Sequence, residues 1–366
     1  MSDPTRPKAD RFQTPPDLLH ETSPGRKGFA RRDHGASGKP RRIDNADATH
    51  SRRIRKRSRK GVQMESPTIG REAFRGHGLG NDYLVFEALE PEAREQGILL
   101  TPANVRAICH RTRGLGSDGI IVLLDPDPDD GVFPLRMFNP DGSEFERSGN
   151  GLRILGACLH RMGRVAEGDT FRVRSGGSEI AMTLHSVSEF GILDLSVEMG
   201  TARTGFEALG LDTGALDDAR RAVHPELGPL DFHPVSVGNP HAVLFTPDLS
   251  DTHRDAVGAF LAVHPAFPEG TNVQLAHLED SGQLRIAIWE RGVGATEASG
   301  TSSCAAAVAA VDTGKLPAGR IEVTMEGGLL AVEVTAELEV TLRGPVQEVG
   351  RVEIAKAFVR WMAQAG

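Results

Sequence analysis

Cysteine is scarce in this chain, and long apolar runs are missing. Its three cysteines, Cys109, Cys158 and Cys304, form no CxxC pair and no disulfide-like spacing. A disulfide framework is thereby excluded, and the usage fits a reducing cytoplasm. No run reaches the ~18 apolar residues that a membrane-spanning helix requires. The first residues lack the apolar segment of a secretory signal, so none is expected. The glycines of Gly76–Gly80 mimic a dinucleotide-binding fingerprint, but no strand followed by a long helix surrounds them, which leaves that reading weak.

Charge is plentiful and unevenly placed. The net charge of −8 averages 17 Lys and Arg against 7 Asp and Glu in residues 1–60, and 25 against 43 in the remainder. The first segment is rich in Pro, Gly and Ser and ends in the run Ser51–Lys60, Ser-Arg-Arg-Ile-Arg-Lys-Arg-Ser-Arg-Lys. Its composition cannot bury enough apolar surface to fold, so residues 1–69 are expected to be a disordered basic tail. The basic run is the one feature that could touch nucleic acid or an acidic surface. The plainer readings, a solvated tail or a chain whose folded part starts near Met64, outweigh it.

What the chain does have is one pattern used twice. Residues 138–153 read Phe-Asn-Pro-Asp-Gly-Ser-Glu-Phe-Glu-Arg-Ser-Gly-Asn-Gly-Leu-Arg, and residues 289–304 read Trp-Glu-Arg-Gly-Val-Gly-Ala-Thr-Glu-Ala-Ser-Gly-Thr-Ser-Ser-Cys. Each follows an apolar strand-like run, Leu135–Phe138 or Ile286–Trp289. Each crosses a glycine-rich loop holding Glu-x-Ser-Gly and enters a helix-like stretch, Leu152–Met162 or Cys304–Val311. A Ser-Gly step that opens a helix leaves N–H groups pointing at whatever lies before it, and such an end attracts an anion. Two of them imply one small anionic ligand between facing helix ends.

Other landmarks repeat in the same order. Asn81 and Asn239 are 158 residues apart, Gly116 and Gly270 154, Ser148 and Ser299 151, and Gly176 and Gly327 151. One nearly constant offset, far too long for a solenoid, indicates internal duplication. The fold expected is α+β, with two pseudo-symmetric domains, each a mixed or antiparallel sheet curled around a central helix. The expected bounds are 70–199 and 200–349, with 350–366 returning to the first domain. Within this frame Thr101 caps a helix that opens at Pro102. Ile120–Leu124 and Val132–Phe138 form a hairpin, Phe171–Met199 holds three strands, and Gly76–Phe86 is a glycine loop running into a strand.

The motifs His77-Gly-Leu-Gly-Asn-Asp, Phe138-Asn-Pro-Asp-Gly-Ser-Glu, Ser148-Gly-Asn-Gly, Val237-Gly-Asn-Pro-His, Phe267-Pro-Glu-Gly-Thr-Asn and Glu290-Arg-Gly-Val-Gly, in this order, resemble the diaminopimelate epimerase family from about Phe74 onward. The resemblance implies inversion of LL-diaminopimelate to the meso form by two-base proton transfer, in lysine and peptidoglycan-precursor synthesis, without cofactor or metal. It implies a cytoplasmic enzyme with a small-molecule substrate; a homodimer is compatible with it. It places the ligand among Asn81, Asn139, Gly149, Asn150, Asn239, Asn272, Glu290, Arg291, Gly300 and Thr301. In this reading the N–H groups of Gly149-Asn150 and Gly300-Thr301 hold the reacting carboxylate, and Arg291 holds the distal one. Glu290 and the asparagine carbonyls accept from an ammonium. A lone asparagine in such a loop more often only satisfies a turn; four at mirrored places, with Glu-Arg, favour the ligand.

In one respect the chain departs from the family it resembles, whose two catalytic cysteines fall on Ser148 and Ser299. A serine hydroxyl is a far weaker acid than a thiol and a poor base unless a neighbour activates it. Cys304, five positions past Ser299, reads as a core residue. The candidate activators are His77, His241, Glu144, Glu146 and Glu297. Three readings follow, in order: epimerisation through Ser148 and Ser299, another isomerase or lyase reaction on a related acid, and a ligand-binding homologue with little turnover.

Overall fold

A computed structural model describes residues 66–125 and 131–365. The basic tail, up to residue 65, lies outside the described residues. Its expected end at residue 69 is too late: Thr68–Ile69 pair with Ile98–Leu99 as a two-stranded sheet, and Ile69 is fully buried.

Among the described residues five α-helices, α1 (Pro102–Cys109), α2 (Gly149–Arg161), α3 (Asp251–Leu261), α4 (Gly300–Asp312) and α5 (Lys356–Ala365), sit among many short strands. The strands close two rings. The first takes 72–78, 81–87, 120–123, 132–138, 170–175, 178–187, 192–201 and 339–353, the last pairing back to 72–78. The second takes 233–236, 240–245, 272–278, 284–290, 319–325, 328–334 and 339–353. It closes through 192–201, whose extension Arg203–Thr204 pairs with 235–236. Each ring is mixed. The pairs 81–87/120–123 and 132–138/170–175 are parallel in the first, as are 240–245/272–278 and 284–290/319–325 in the second. The duplicated order is thus a duplicated topology, and the two rings share their longest strands.

Alternation along the strands separates the layers. In 81–87, Tyr83 and Val85 face the central core, while Leu84 and Phe86 face an outer cluster with α1, Ile354 and Met362. A second outer cluster joins α3 to Ala242, Leu244, Val273 and Leu275. α2 and α4 occupy the middle of the core, buried from Gly149 to Leu159 and from Ser302 to Ala310. A helix buried on all sides is apolar or small-sided all round, which the alanine run of α4 satisfies.

Some expectations are corrected. Gly76–Gly78 belong to a strand rather than a loop; only Leu79 and Gly80, both at positive φ, make the turn to Asn81. Gly76 is flat against its neighbours, and a Cβ there would lie 3.0 Å from the Phe74 ring and 3.2 Å from Ile154. Both central helices begin three or four residues earlier than their apolar stretches suggest, directly after the serine caps. At Gly200 the chain does not break: a bulge at Glu198/Gly200 carries one extended strand across it.

Candidate active site

The two Ser-Gly steps are helix N-caps of nearly identical geometry. Ser148 has φ −138° and ψ 120°, and Ser299 has φ −149° and ψ 123°. Each hydroxyl oxygen accepts from the third N–H of its helix, Gly151 N at 3.1 Å and Ser302 N at 3.4 Å. The next donors are unclaimed: among the described residues no protein acceptor takes the N–H of Gly149, Asn150, Gly300 or Thr301. The helix ends nearly touch, since a Cβ on Gly300 would stand 3.7 Å from Gly149 Cα and 2.8 Å from a Leu342 methyl. Two positive dipole ends and four free donors therefore face one space.

That space is a cleft of about 670 Å³. It is lined by all of Asn81, Asn139, Ser148, Gly149, Asn150, Asn239, Asn272, Glu290, Arg291, Ser299, Gly300 and Thr301. Of the candidate activators, only Glu146 joins them. Glu144 is spent on Arg136 at 2.6 Å, and the His77 ring accepts from Gly80 N in the turn. His241 is fully buried, and burial pushes its pKa down to about 3, so it stays neutral at ordinary pH. Its Nε2 meets Asn239 Oδ1 at 2.9 Å, while its Nδ1 and the nearby Gln274 Oε1 find no hydrogen-bond partner among the described residues. Glu297 lies outside the lining, with its carboxylate near Gly80.

The groups that do reach the hydroxyls are others, and they differ between the halves. Tyr83 Oη donates to Ser148 Oγ at 3.3 Å. Burial raises the Tyr83 pKa above its ordinary value, so the phenol keeps its proton. Ser299 instead has Glu290 beside it in the cleft; the pKa of that carboxylate is raised chiefly by burial, with the Ser299 hydroxyl opposing the shift and Asp118 adding to it. One hydroxyl thus has a phenol donating to it and the other a half-buried carboxylate nearby.

The asparagines are less free to accept than their sequence suggests. The carbonyls of Asn81 and Asn272 already accept from Asn150 Nδ2 at 3.2 Å and from Arg291 N at 2.9 Å. The Asn239 carbonyl is engaged by His241, so N–H groups are what Asn239 and Asn272 have left to offer a ligand, which suits a carboxylate. Asn139 gives its Nδ2 to Ser143 Oγ at 3.0 Å, and among the described residues no donor takes its side-chain carbonyl, which suits an ammonium. The Arg291 guanidinium bonds the Glu269 carbonyl and keeps further donors at the rim. Among the described residues no three His, Cys, Asp or Glu side chains gather as a metal site.

Sequence reasoning missed Tyr83 and Arg147. Tyr83 is the single tyrosine of the chain and sits two residues after Asn81, hence on the same strand face. Arg147 lines the cleft beside Ser148, with its guanidinium on the Met199 carbonyl; no motif singled it out.

A family model described as diaminopimelate epimerase matches residues 73–204 and 234–349. The chain is 35% identical over 287 residues to diaminopimelate epimerase 2 of Nostoc sp. (strain PCC 7120 / SAG 25.82 / UTEX 2576), covering 77% of this chain and 95% of that one. It is 36% identical over 273 residues to the diaminopimelate epimerase of Erythrobacter litoralis (strain HTCC2594), covering 74% and 93%. The fold is also that of a hydroxyproline epimerase from Agrobacterium vitis, solved with trans-4-hydroxy-L-proline bound, at TM-score 0.57 and 13% identity over 80% of this chain and 94% of that one.

Proposed function

The chain belongs to the diaminopimelate epimerase family, and on that footing we propose that it interconverts LL- and meso-diaminopimelate by removing the α-proton on one face and returning a proton on the other, with Ser299 and Ser148 as the two groups. The observation that carries the assignment is the pair of abutting helix ends with differently backed hydroxyls. Glu290 accepts the Ser299 proton as Ser299 Oγ takes the α-proton. The Ser148 hydroxyl gives its proton to the opposite face and regains one from solvent, while the Tyr83 phenol donates a hydrogen bond to its oxygen. Between these transfers the negative charge spreads onto the α-carboxylate, where the N–H groups of Gly149, Asn150, Gly300 and Thr301 stabilise it. The cap N–H bonds to each Oγ favour its deprotonated form, which partly offsets the weak acidity of serine. Arg291 takes the distal carboxylate, and Asn139 accepts from an ammonium.

The reading needs no group besides the substrate. It carries with it a cytoplasmic site of action, which the unpaired, buried cysteines fit, and it is compatible with a monomer or a homodimer. Single Ser148→Ala and Ser299→Ala variants test it. Each should lose about 10²–10⁴ in the rate of conversion of LL- to meso-diaminopimelate, because a two-base path needs both partners. Each should also lose about 1 kcal/mol of stability as a cap is removed. Full activity in either variant would remove that serine from the chemistry.

A further inference from the structure

Behind the cleft, Arg153 is fully buried on α2, with no salt-bridge partner among the described residues. Its Nε and Nη1 reach the carbonyls of Gly149 and Pro345, each at 3.3 Å, and its Nη2 bonds Asn150 Oδ1. Asn150 Nδ2 donates to Asn81 Oδ1 at 3.2 Å, and Asn81 Nδ2 donates to Asp118 Oδ2 at 3.0 Å. The same Asp118 oxygen accepts from Asp82 N at 3.0 Å, and its other oxygen pairs with Arg111. Arg111 in turn holds Asp82 at 2.7 Å.

We infer that Arg153 and Asp118 are positioning residues that fix which way the side-chain amides of Asn150 and Asn81 face. The argument is one of donors and acceptors. A guanidinium only donates, so Asn150 must turn its oxygen to Arg153. That leaves its NH2 for Asn81, which must offer oxygen, and the Asn81 NH2 then meets a carboxylate, which only accepts. Reversing either amide sets N–H against N–H at one end or oxygen against oxygen at the other. The row has one polarity because its ends are unlike. Burial lowers the Arg153 pKa to about 10, so the donor end remains cationic at neutral pH. The row is closely packed: a Cβ on Gly78 would stand 3.3 Å from Arg153 Nη2 and 3.6 Å from Asn150 Oδ1. Asn81 and Asn150 both line the cleft, so the row sets what they show a ligand.

The kinetic consequence rests on the epimerase reading; the orientation itself does not. The test compares Asp118→Asn with Asp118→Ala in the full-length protein. Both abolish the ion pair to Arg111, but only asparagine keeps an oxygen for Asn81. The side-chain NH2 signals of Asn81 and Asn150 are followed by 15N NMR, identified by their loss in Asn81→Asp and Asn150→Asp. In Asp118→Ala both signals should move and exchange with solvent at least about tenfold faster, with KM for LL-diaminopimelate raised about tenfold and kcat changed less. In Asp118→Asn both signals and KM should return close to the parent values. Arg153→Lys, also donor-only, should keep the Asn150 signal, whereas Arg153→Gln, which can present either atom, should shift or split it. Identical behaviour of the two Asp118 variants would reduce Asp118 to an ion-pair partner and overturn the inference. So would an unmoved Asn150 signal in Asp118→Ala. The NMR arm needs no turnover, so loss of the epimerase reading leaves it able to decide.

Discussion

Glu290 is where the two halves of the site differ most. Asn139 stands at the equivalent end of the other ring, and an amide there cannot take a proton from a serine. Burial raises the Glu290 pKa from its ordinary value of 4.5, which makes its carboxylate a stronger proton acceptor than an exposed one. The same shift has a sign for stability. The folded protein holds this proton more tightly than the unfolded chain, so the contribution is fully present below the unfolded pKa and lost as pH rises through the folded one. Above the folded pKa the ionised Glu290 therefore costs stability. Glu290→Gln should raise Tm at neutral pH and flatten that stretch of the pH–stability curve, while the epimerisation rate falls by about 10²–10⁴. A variant that keeps its rate, or that is less stable at neutral pH, would contradict the role given to this carboxylate.

The central helices explain how a serine could stand where a thiol serves better. Each begins on a capped hydroxyl with unclaimed N–H groups ahead of it, an environment that lowers the pKa of a thiol. It contrasts with Cys109, Cys158 and Cys304, whose thiols burial pushes up to about 12. The double variant Ser148→Cys/Ser299→Cys, kept reduced, should epimerise at least as fast as the parent, at a cost of about 1 kcal/mol per altered cap. Loss of activity in the reduced double variant would mean that acidity is not what limits the serines. At this scale the sequence is readable wherever backbone geometry restricts residue type. The serine caps, the Thr101 cap with Pro102, and the glycines at positive φ mark helix starts and turns by residue type alone. The first turns of the two central helices are harder to read, because Gly149–Gly151 and Gly300–Ser303 carry little apolar signal and their helicity follows from the caps and from burial.

The described residues form two rings that share the strands 192–204 and 339–353, with one core running through both. The duplication is legible from Asn81/Asn239, Ser148/Ser299 and the Gly-Gly bends. The sharing is not, since strand partners far apart in sequence leave no local mark and an extended stretch reads the same whichever strand it joins. Tyr83, Asp118 and Arg153 escape for a related reason: each matters through what it faces across the fold. The shared strands bring the two helix ends together, so that one serine can lie on each side of a single carbon. That two-sided arrangement is the central claim, and isotope placement in heavy water addresses it directly. With LL-diaminopimelate in D2O and conversion kept low, the meso product should carry deuterium at the inverted carbon, while the remaining LL pool still carries protium, because the group that removes the proton is not the one that returns it. Deuterium appearing equally in both isomers would mean a single group serves both faces, and no exchange into either would contradict proton transfer at this site altogether.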